Sequence, residues 1–345
     1  MHGEEVDLEG RLRDALESYR PLLGRRLAFE DVDPRSPGLR DAYRTFSNAS
    51  LVLDVAPDLG EWADFEGGRK PMLRLVLDEA AWASFRETSA SKGYAIANVD
   101  RTVRESEDGR LVPSDERARV VGFVGREERD VTEAARIDGE LLASGSSPET
   151  WRTLGRRLGA LLGYPRCCVD HFVELAADAG KDEVVRSVAR GSGRFLPWLN
   201  NVSMSVYHAI SWFPCRYDCE ASARVARAVD ERVRAAAGRK YPRLRRYLAM
   251  PRLYFDDRRQ LIFEGATERD GRVQFRGVHT PFTFHRRRDD VLGDWLFHAE
   301  VVTRLAAADW FEAGGTEVVT GSRDSVETIQ WTTTPVWMPF GMSGW

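Results

Sequence analysis

The residues with the most distinctive chemistry are the cysteines. The chain has four in 345 residues. Cys167 and Cys168 are adjacent in Leu162-Gly163-Tyr164-Pro165-Arg166-Cys167-Cys168-Val169-Asp170-His171-Phe172, and Cys215 and Cys219 lie in Pro214-Cys215-Arg216-Tyr217-Asp218-Cys219. None falls in either flanking third of the chain. Thiols used only as core filler would be scattered, so the clustering predicts one shared site. Thiolate is the ligand form of cysteine and needs a positive local potential or a cation. Both pairs are expected at helix starts, which supply free N–H groups and a positive dipole end. Arg166 and Arg216 adjoin the cysteines and add charge.

An iron–sulfur cluster, first of all a 4Fe-4S cubane, is the leading expectation for what the thiolates hold. Adjacent cysteines point apart and seldom grip one small ion, and neither pair has the two-residue gap of a zinc knuckle. Proline near cysteine also recurs at such clusters. A single zinc or iron ion is the alternative, and a metal-free dithiol pair is a third. His171 lies one helical turn beyond Cys168 and His208 shortly before Cys215. With Asp170 they are the candidate catalytic groups, and each histidine is also a candidate ligand. The competing expectation for both histidines is an ordinary hydrogen bond in a partly buried setting. Arg166, Arg216 and Tyr164 are candidates for holding the cofactor. Asp218 is expected to cap a helix.

The pattern Leu-Gly-Tyr-Pro-x-Cys-Cys-x3-Phe, then a His, then Pro-Cys-x3-Cys-x2-Ser, resembles an uncharacterised family of prokaryotic proteins. The matching residues are Leu162, Gly163, Tyr164, Pro165, Cys167, Cys168, Phe172, His208, Pro214, Cys215, Cys219 and Ser222. The resemblance is loose from about Val120 to Phe275 and specific only at the two cysteine motifs. It implies no established activity.

The elements that must position these residues follow from periodicity and punctuation. Leu8, Leu12, Leu16, Tyr19 and Leu23 recur at helical spacing over 8–27. Residues 51–55, 73–77 and 119–124 read as strands, 94–99 as extended, 79–85 and 131–142 as helices, and 104–115 as a charged loop. This alternation predicts an N-terminal α/β domain over 1–145. Ser147-Pro148-Glu149 is a helix start, with a capping hydroxyl, a proline in the first turn and an early acid. Trp151, Leu154, Leu158, Leu161 and Leu162 form its buried stripe, and Gly163 stops it. A second helix is expected from near Cys168, and another from Asp218 or Cys219 to Ala237. Residues 146–238 therefore read as a helical, cysteine-bearing domain. Residues 239–345 read as a β-rich subdomain: a hairpin meander over 253–275, a long amphipathic helix over 294–311, strands at 316–319 and 326–331, and an aromatic tail packed on the body. The fold class is α/β or α+β.

Composition sets the outer limits. Hydrophobic residues make up 43% and charged residues 30%, with a net charge of −4. That is ordinary for a soluble globular protein and gives no global argument for nucleic acid or an anionic membrane. No apolar segment reaches the length of a membrane span, and the acidic start does not read as a secretory signal. A cytoplasmic location is expected, where clustered cysteines hold metal or do redox work. The basic stretch 239–259 is interleaved with Tyr241, Tyr247, Tyr254 and Phe255. Such a pattern can bind a phosphate backbone and stack on bases, but a solvated helix face is the favoured reading. His279, His285 and His298 suggest a second site more weakly. The leading function is an iron–sulfur enzyme doing redox, sulfur-transfer or Lewis-acid chemistry on a small molecule or peptide. Its rivals are a zinc-stabilised module that binds nucleic acid or peptide, and a dithiol redox protein.

Overall fold

The computed structural model describes residues 58–105, 111–114, 119–143, 147–176, 180–204, 207–257, 259–279, 297, 301–322, 325–331 and 333–342. The helix expected over 8–27 and the strand over 51–55 lie outside the described residues. The rest forms two compact units, Val55–Leu248 and, from Ala249 onward, a second.

In the first unit, helix α1 (Leu59–Glu66) precedes strand β1 (Met72–Asp78), helix α2 (Glu79–Ser91), strands β2 (Ala95–Glu105), β3 (Leu111–Pro113) and β4 (Arg119–Gly125), and helix α3 (Glu128–Leu142). The sheet order is β1-β4-β2-β3. β1 and β2 each pair antiparallel with β4, so they run in the same direction with β4 slotted between them. This is a split β-α-β unit. Helices and strands alternate along the chain as expected, and every ladder among the described residues is antiparallel, so of the two expected classes, α/β and α+β, the second holds.

Side chains alternate between the two faces of the sheet. Met72, Val99, Val121 and Phe123 pack with Val131, Ala134 and Ile137 of α3. Leu73, Leu75 and Val124 pack with Trp82 of α2 and Phe65 of α1. Gly122 lies under the Trp82 ring, where a Cβ would stand 2.2 Å from ring carbons, so the indole needs bare backbone there.

Five further helices follow: α4 (Pro148–Leu161), α5 (Arg166–Ala176), α6 (Lys181–Arg190), α7 (Glu220–Ala237) and α8 (Tyr241–Ala249). The Ser147 hydroxyl caps α4, accepting from the Thr150 N–H at 3.1 Å. The expected boundary at 145 falls inside this unit. Helices α3 and α4 on either side of it pack together, and Leu158 and Leu162 complete the core over the sheet. The cysteine-bearing helices are thus one body with the sheet, and the division comes at Leu248 rather than at 238.

The second unit holds two antiparallel sheets. One is formed by β5 (Arg252–Tyr254), β6 (Gln260–Glu264), β9 (Gly277–His279) and β13 (Val336–Met338), and the other by β7 (Thr267–Arg269), β8 (Arg272–Gln274), β10 (Trp310–Gly314), β11 (Glu317–Gly321) and β12 (Val326–Gln330). Both contribute to one core, with Leu253, Phe255, Leu261 and Phe263 from the first and Val273, Phe311, Val318 and Ile329 from the second. The expected meander is two hairpins in different sheets. The helix expected over 294–311 is present in part: residue 297 and residues 301–306 are helical, with α9 at Thr303–Ala306, and 294–296 and 298–300 lie outside the described residues. Its C-terminal end is corrected, because beyond Asp309 the period becomes two, with Phe311 buried and its strand neighbours more exposed. The tail packs as expected, with β13 on β5 and Phe340 buried.

Candidate metal centre

Two helix starts meet at the thiols. Gly163, at φ +74°, ends α4 in a left-handed turn. Pro165 then lets α5 begin at Arg166, which puts Cys167 and Cys168 in its first turn. Cys219 immediately precedes α7, and its carbonyl accepts from the Ala223 N–H at 2.8 Å. The positive ends of both helices therefore face sulfur.

Cys167 Sγ lies 3.9 Å from Cys168 Sγ and 3.7 Å from Cys219 Sγ, and Cys168 Sγ lies 3.7 Å from Cys219 Sγ. With Cys215 included, all four sulfurs lie within 4.8 Å of one another. The four cysteines thus form a compact site able to hold a metal ion. The expectation that the adjacent pair points apart is corrected, because within the first helical turn both sulfurs face Cys219. Cys168 and Cys219 are buried, Cys215 is half-buried and Cys167 is exposed.

Without a cation the four thiols cannot all ionise. A hydrogen bond from the Cys168 thiol, helped by the Ser222 N–H, holds Cys219 down to about 4 against the effect of burial. The same contact, together with burial, pushes Cys168 up. Burial, then Cys219, pushes Cys215 up to about 12. A divalent ion among the sulfurs removes this conflict, since its charge favours thiolate at every ligand.

A buried layer of polar groups surrounds the sulfurs. The Ser222 hydroxyl is 3.0 Å from Cys168 Sγ and accepts from Trp212 Nε1 at 3.0 Å. The Cys215 N–H donates to Cys168 Sγ at 3.3 Å. The Trp212 carbonyl accepts from Asn201 Nδ2 at 2.7 Å, and its ring lies 5.0 Å from that of Tyr164. Tyr164 Oη is 3.3 Å from Ser211 Oγ. Above the Tyr164 ring, at 4.7 Å, sits Lys70 Nζ, which pairs with Glu61 at 2.9 Å. Burial opposes the charge on both partners, yet their pairing leaves Lys70 raised and Glu61 lowered.

The other sequence candidates fall around this core. His171 is in α5, and burial lowers its pKa. His208 is buried with Nδ1 2.9 Å from the Met204 carbonyl, and burial lowers its pKa despite nearby Glu61. Neither imidazole belongs to the ligand cluster. Asp170 accepts from Arg156 Nε at 2.8 Å and pairs with Arg166 at 3.5 Å on the surface. Arg216 pairs with Asp218 at 3.1 Å. Asp218 does not cap α7. It accepts instead from the Gly193 and Arg194 N–H groups at 3.1 and 3.2 Å, tying that loop to the site. His279 lies 3.4 Å from Glu264, while His285 and His298 are outside the described residues. Sequence reasoning passed over Trp212, Lys70 and Glu61 as site residues. Ser222 had a signal, three residues after Cys219, whereas nothing local marks Lys70 as buried. Among the described residues no helix is long and apolar enough to cross a membrane. Neither protein-family models, curated proteins nor solved structures match this chain.

Proposed function

We propose that the four cysteines hold a single zinc ion in a closed tetrahedral site whose role is structural. The observation that carries this reading is the sulfur spacing. Thiolates bound at about 2.3 Å to one zinc stand about 3.8 Å apart along each tetrahedral edge; the three pairs among Cys167, Cys168 and Cys219 are 3.7, 3.7 and 3.9 Å apart, and all four sulfurs lie within 4.8 Å of one another. Thiolates on the four irons of a cubane stand roughly 6 Å apart, because each sits outside its own metal corner. The spacing therefore favours the zinc alternative over the iron–sulfur expectation. Four protein ligands also leave no open coordination position, which is the pattern of structural rather than catalytic zinc.

When bound, the ion supplies charge compensation and a cross-link. The chain's own residues do the rest. The Ser222 hydroxyl and the Cys215 N–H donate to Cys168 and fix its orientation, as the groups around metal ligands generally do. The entrances of α5 and α7 are stapled to the loop carrying Cys215. On this reading the chain is a zinc-stabilised α+β protein.

Metal analysis after purification without oxygen tests it. Colourless protein with one zinc per chain is expected, and Cys168→Ser should lose the ion and unfold more easily. Brown protein with iron and broad absorption near about 400 nm would overturn the reading in favour of a cluster.

A further inference from the structure

We propose that the corner formed by the end of α7 and the outward face of α8 binds the phosphate backbone of double-stranded nucleic acid. From Arg232 to Phe255 the chain contains no Asp or Glu. In α8, Tyr241, Leu244, Tyr247 and Leu248 are buried, which leaves Arg243, Arg245 and Arg246 on the exposed half. Arg239 and Lys240 are exposed in the single 3-10 turn that joins the helices, and Arg234 is exposed in the last turn of α7. The corner is fixed by the hydrogen bond that Tyr241 Oη donates to Asp230 at 2.6 Å; the exposed Arg234 guanidinium lies 5.8 Å from the Tyr241 ring centroid. Asp230 is thereby engaged, and Glu231 is the exposed carboxylate nearest in sequence. Lys240, Arg245 and Arg246 have partners within the chain, so Arg234, Arg239 and Arg243 are the charges offered to a phosphate backbone, and with these three set aside the remaining residues sum to −7 against the overall −4. A polyanion thus meets this corner with attraction and the rest of the surface with net repulsion.

The chemistry of the face selects among polyanions. Its tyrosines are turned into the core, so it offers no platform for stacking the bases of a single strand. Among the described residues the one large hydrophobic side chain that is prominently exposed is Val326, so those residues offer no apolar wedge to enter a bilayer. What remains is a set of point charges. Duplex nucleic acid, with one phosphate per about 1.7 Å of axis, presents the matching array. Contacts to phosphate alone carry no sequence information, so binding is sequence-independent. The surface is distinct from the metal centre, since α7 spans about 27 Å between Cys219 and this corner. The inference therefore stands on its own evidence.

Fluorescence anisotropy of the full chain, as purified, with a random-sequence duplex tests it. Binding is expected at 50 mM salt, with log K falling against log salt at a slope of about −2 to −3, which is a loss of about 15- to 60-fold by 200 mM. The variant Arg234→Ala/Arg239→Ala/Arg243→Ala should flatten that slope by about 2 to 3 while its thermal melt and metal content stay close to wild type. No binding at 50 mM, an unchanged slope in the variant, or tighter binding to phosphatidylserine vesicles than to duplex would each overturn the proposal. Because metal content is read on the same samples, failure here is separable from failure of the zinc reading.

Discussion

The Ser222 hydroxyl serves two buried neighbours, accepting from the Trp212 indole and donating towards Cys168. Removing it leaves an indole N–H without a partner and takes away one of two donors to the Cys168 sulfur, the Cys215 N–H being the other. An unsatisfied buried group costs about 1–3 kcal/mol, so Ser222→Ala should lower the unfolding free energy by about that amount in a urea titration. Loss of a hydrogen-bond partner behind a metal ligand typically weakens metal binding by about 10–100-fold, which competition with a chelator would read. Cysteine at this position should behave more like serine than alanine does, because its thiol is still a weak donor. Cys167 and Cys168 show how one residue step is resolved by helix geometry. Adjacency alone suggests a pair too divergent for one ion, because neither the turn at Gly163 nor the third sulfur facing them from Cys219 is visible in the pair itself.

Among elements, the buried pair Lys70–Glu61 joins α1 to the segment entering β1 and covers the Tyr164 ring. Lys70→Met should destabilise by about 3–5 kcal/mol, since it strands a carboxylate in a buried site. Adding Glu61→Leu should recover much of that loss, because the uncompensated charge is then gone as well. Equilibrium unfolding of both variants checks this, and equal stability of the single and double variants would contradict it. Several elements were legible in the sequence because their signals are local. Ser147-Pro148-Glu149 opens α4 through its own side chains. Asp270 and Gly271, both at positive φ, form the turn between β7 and β8 that their types suggest. What could not be read is non-local. The pairing of β4 with both β1 and β2, the packing that merges sheet and cysteine helices into one unit, and the burial of Lys70 all depend on partners distant in sequence. At Asp218 two reasonable outcomes competed, and the N–H groups of Gly193 and Arg194 prevailed over the helix end. At 294–311 the apolar spacing fitted a helix, while the strand at Trp310–Gly314 was selected by its partners β8 and β11.

At the scale of the whole molecule, buried ionisable groups couple stability to pH. Burial lowers the pKa of His208 in the folded protein, so below about 6.5 the unfolded chain takes up a proton that the native state resists. Stability is fully present above that value and falls as the solution is acidified, by up to about 1.4 kcal/mol per pH unit for this imidazole. Glu61, held below the usual carboxylate range by Lys70 against burial, adds a loss of the same sign at lower pH. The urea midpoint should therefore drop between pH 7.5 and 5.5, and His208→Asn should reduce that slope. A midpoint that rises on acidification would contradict the assignment.

The position of β4 also bears on how the chain comes off the ribosome. β1 and β2 share no hydrogen bonds with one another; each pairs with β4, which is the last of the three to be synthesised. Until Gly125 has emerged, the two earlier strands have no template to join them. Until then the apolar residues Leu73, Leu75 and Val99 lack their sheet partner, and a holdase that binds extended hydrophobic segments is the class of helper suited to that interval.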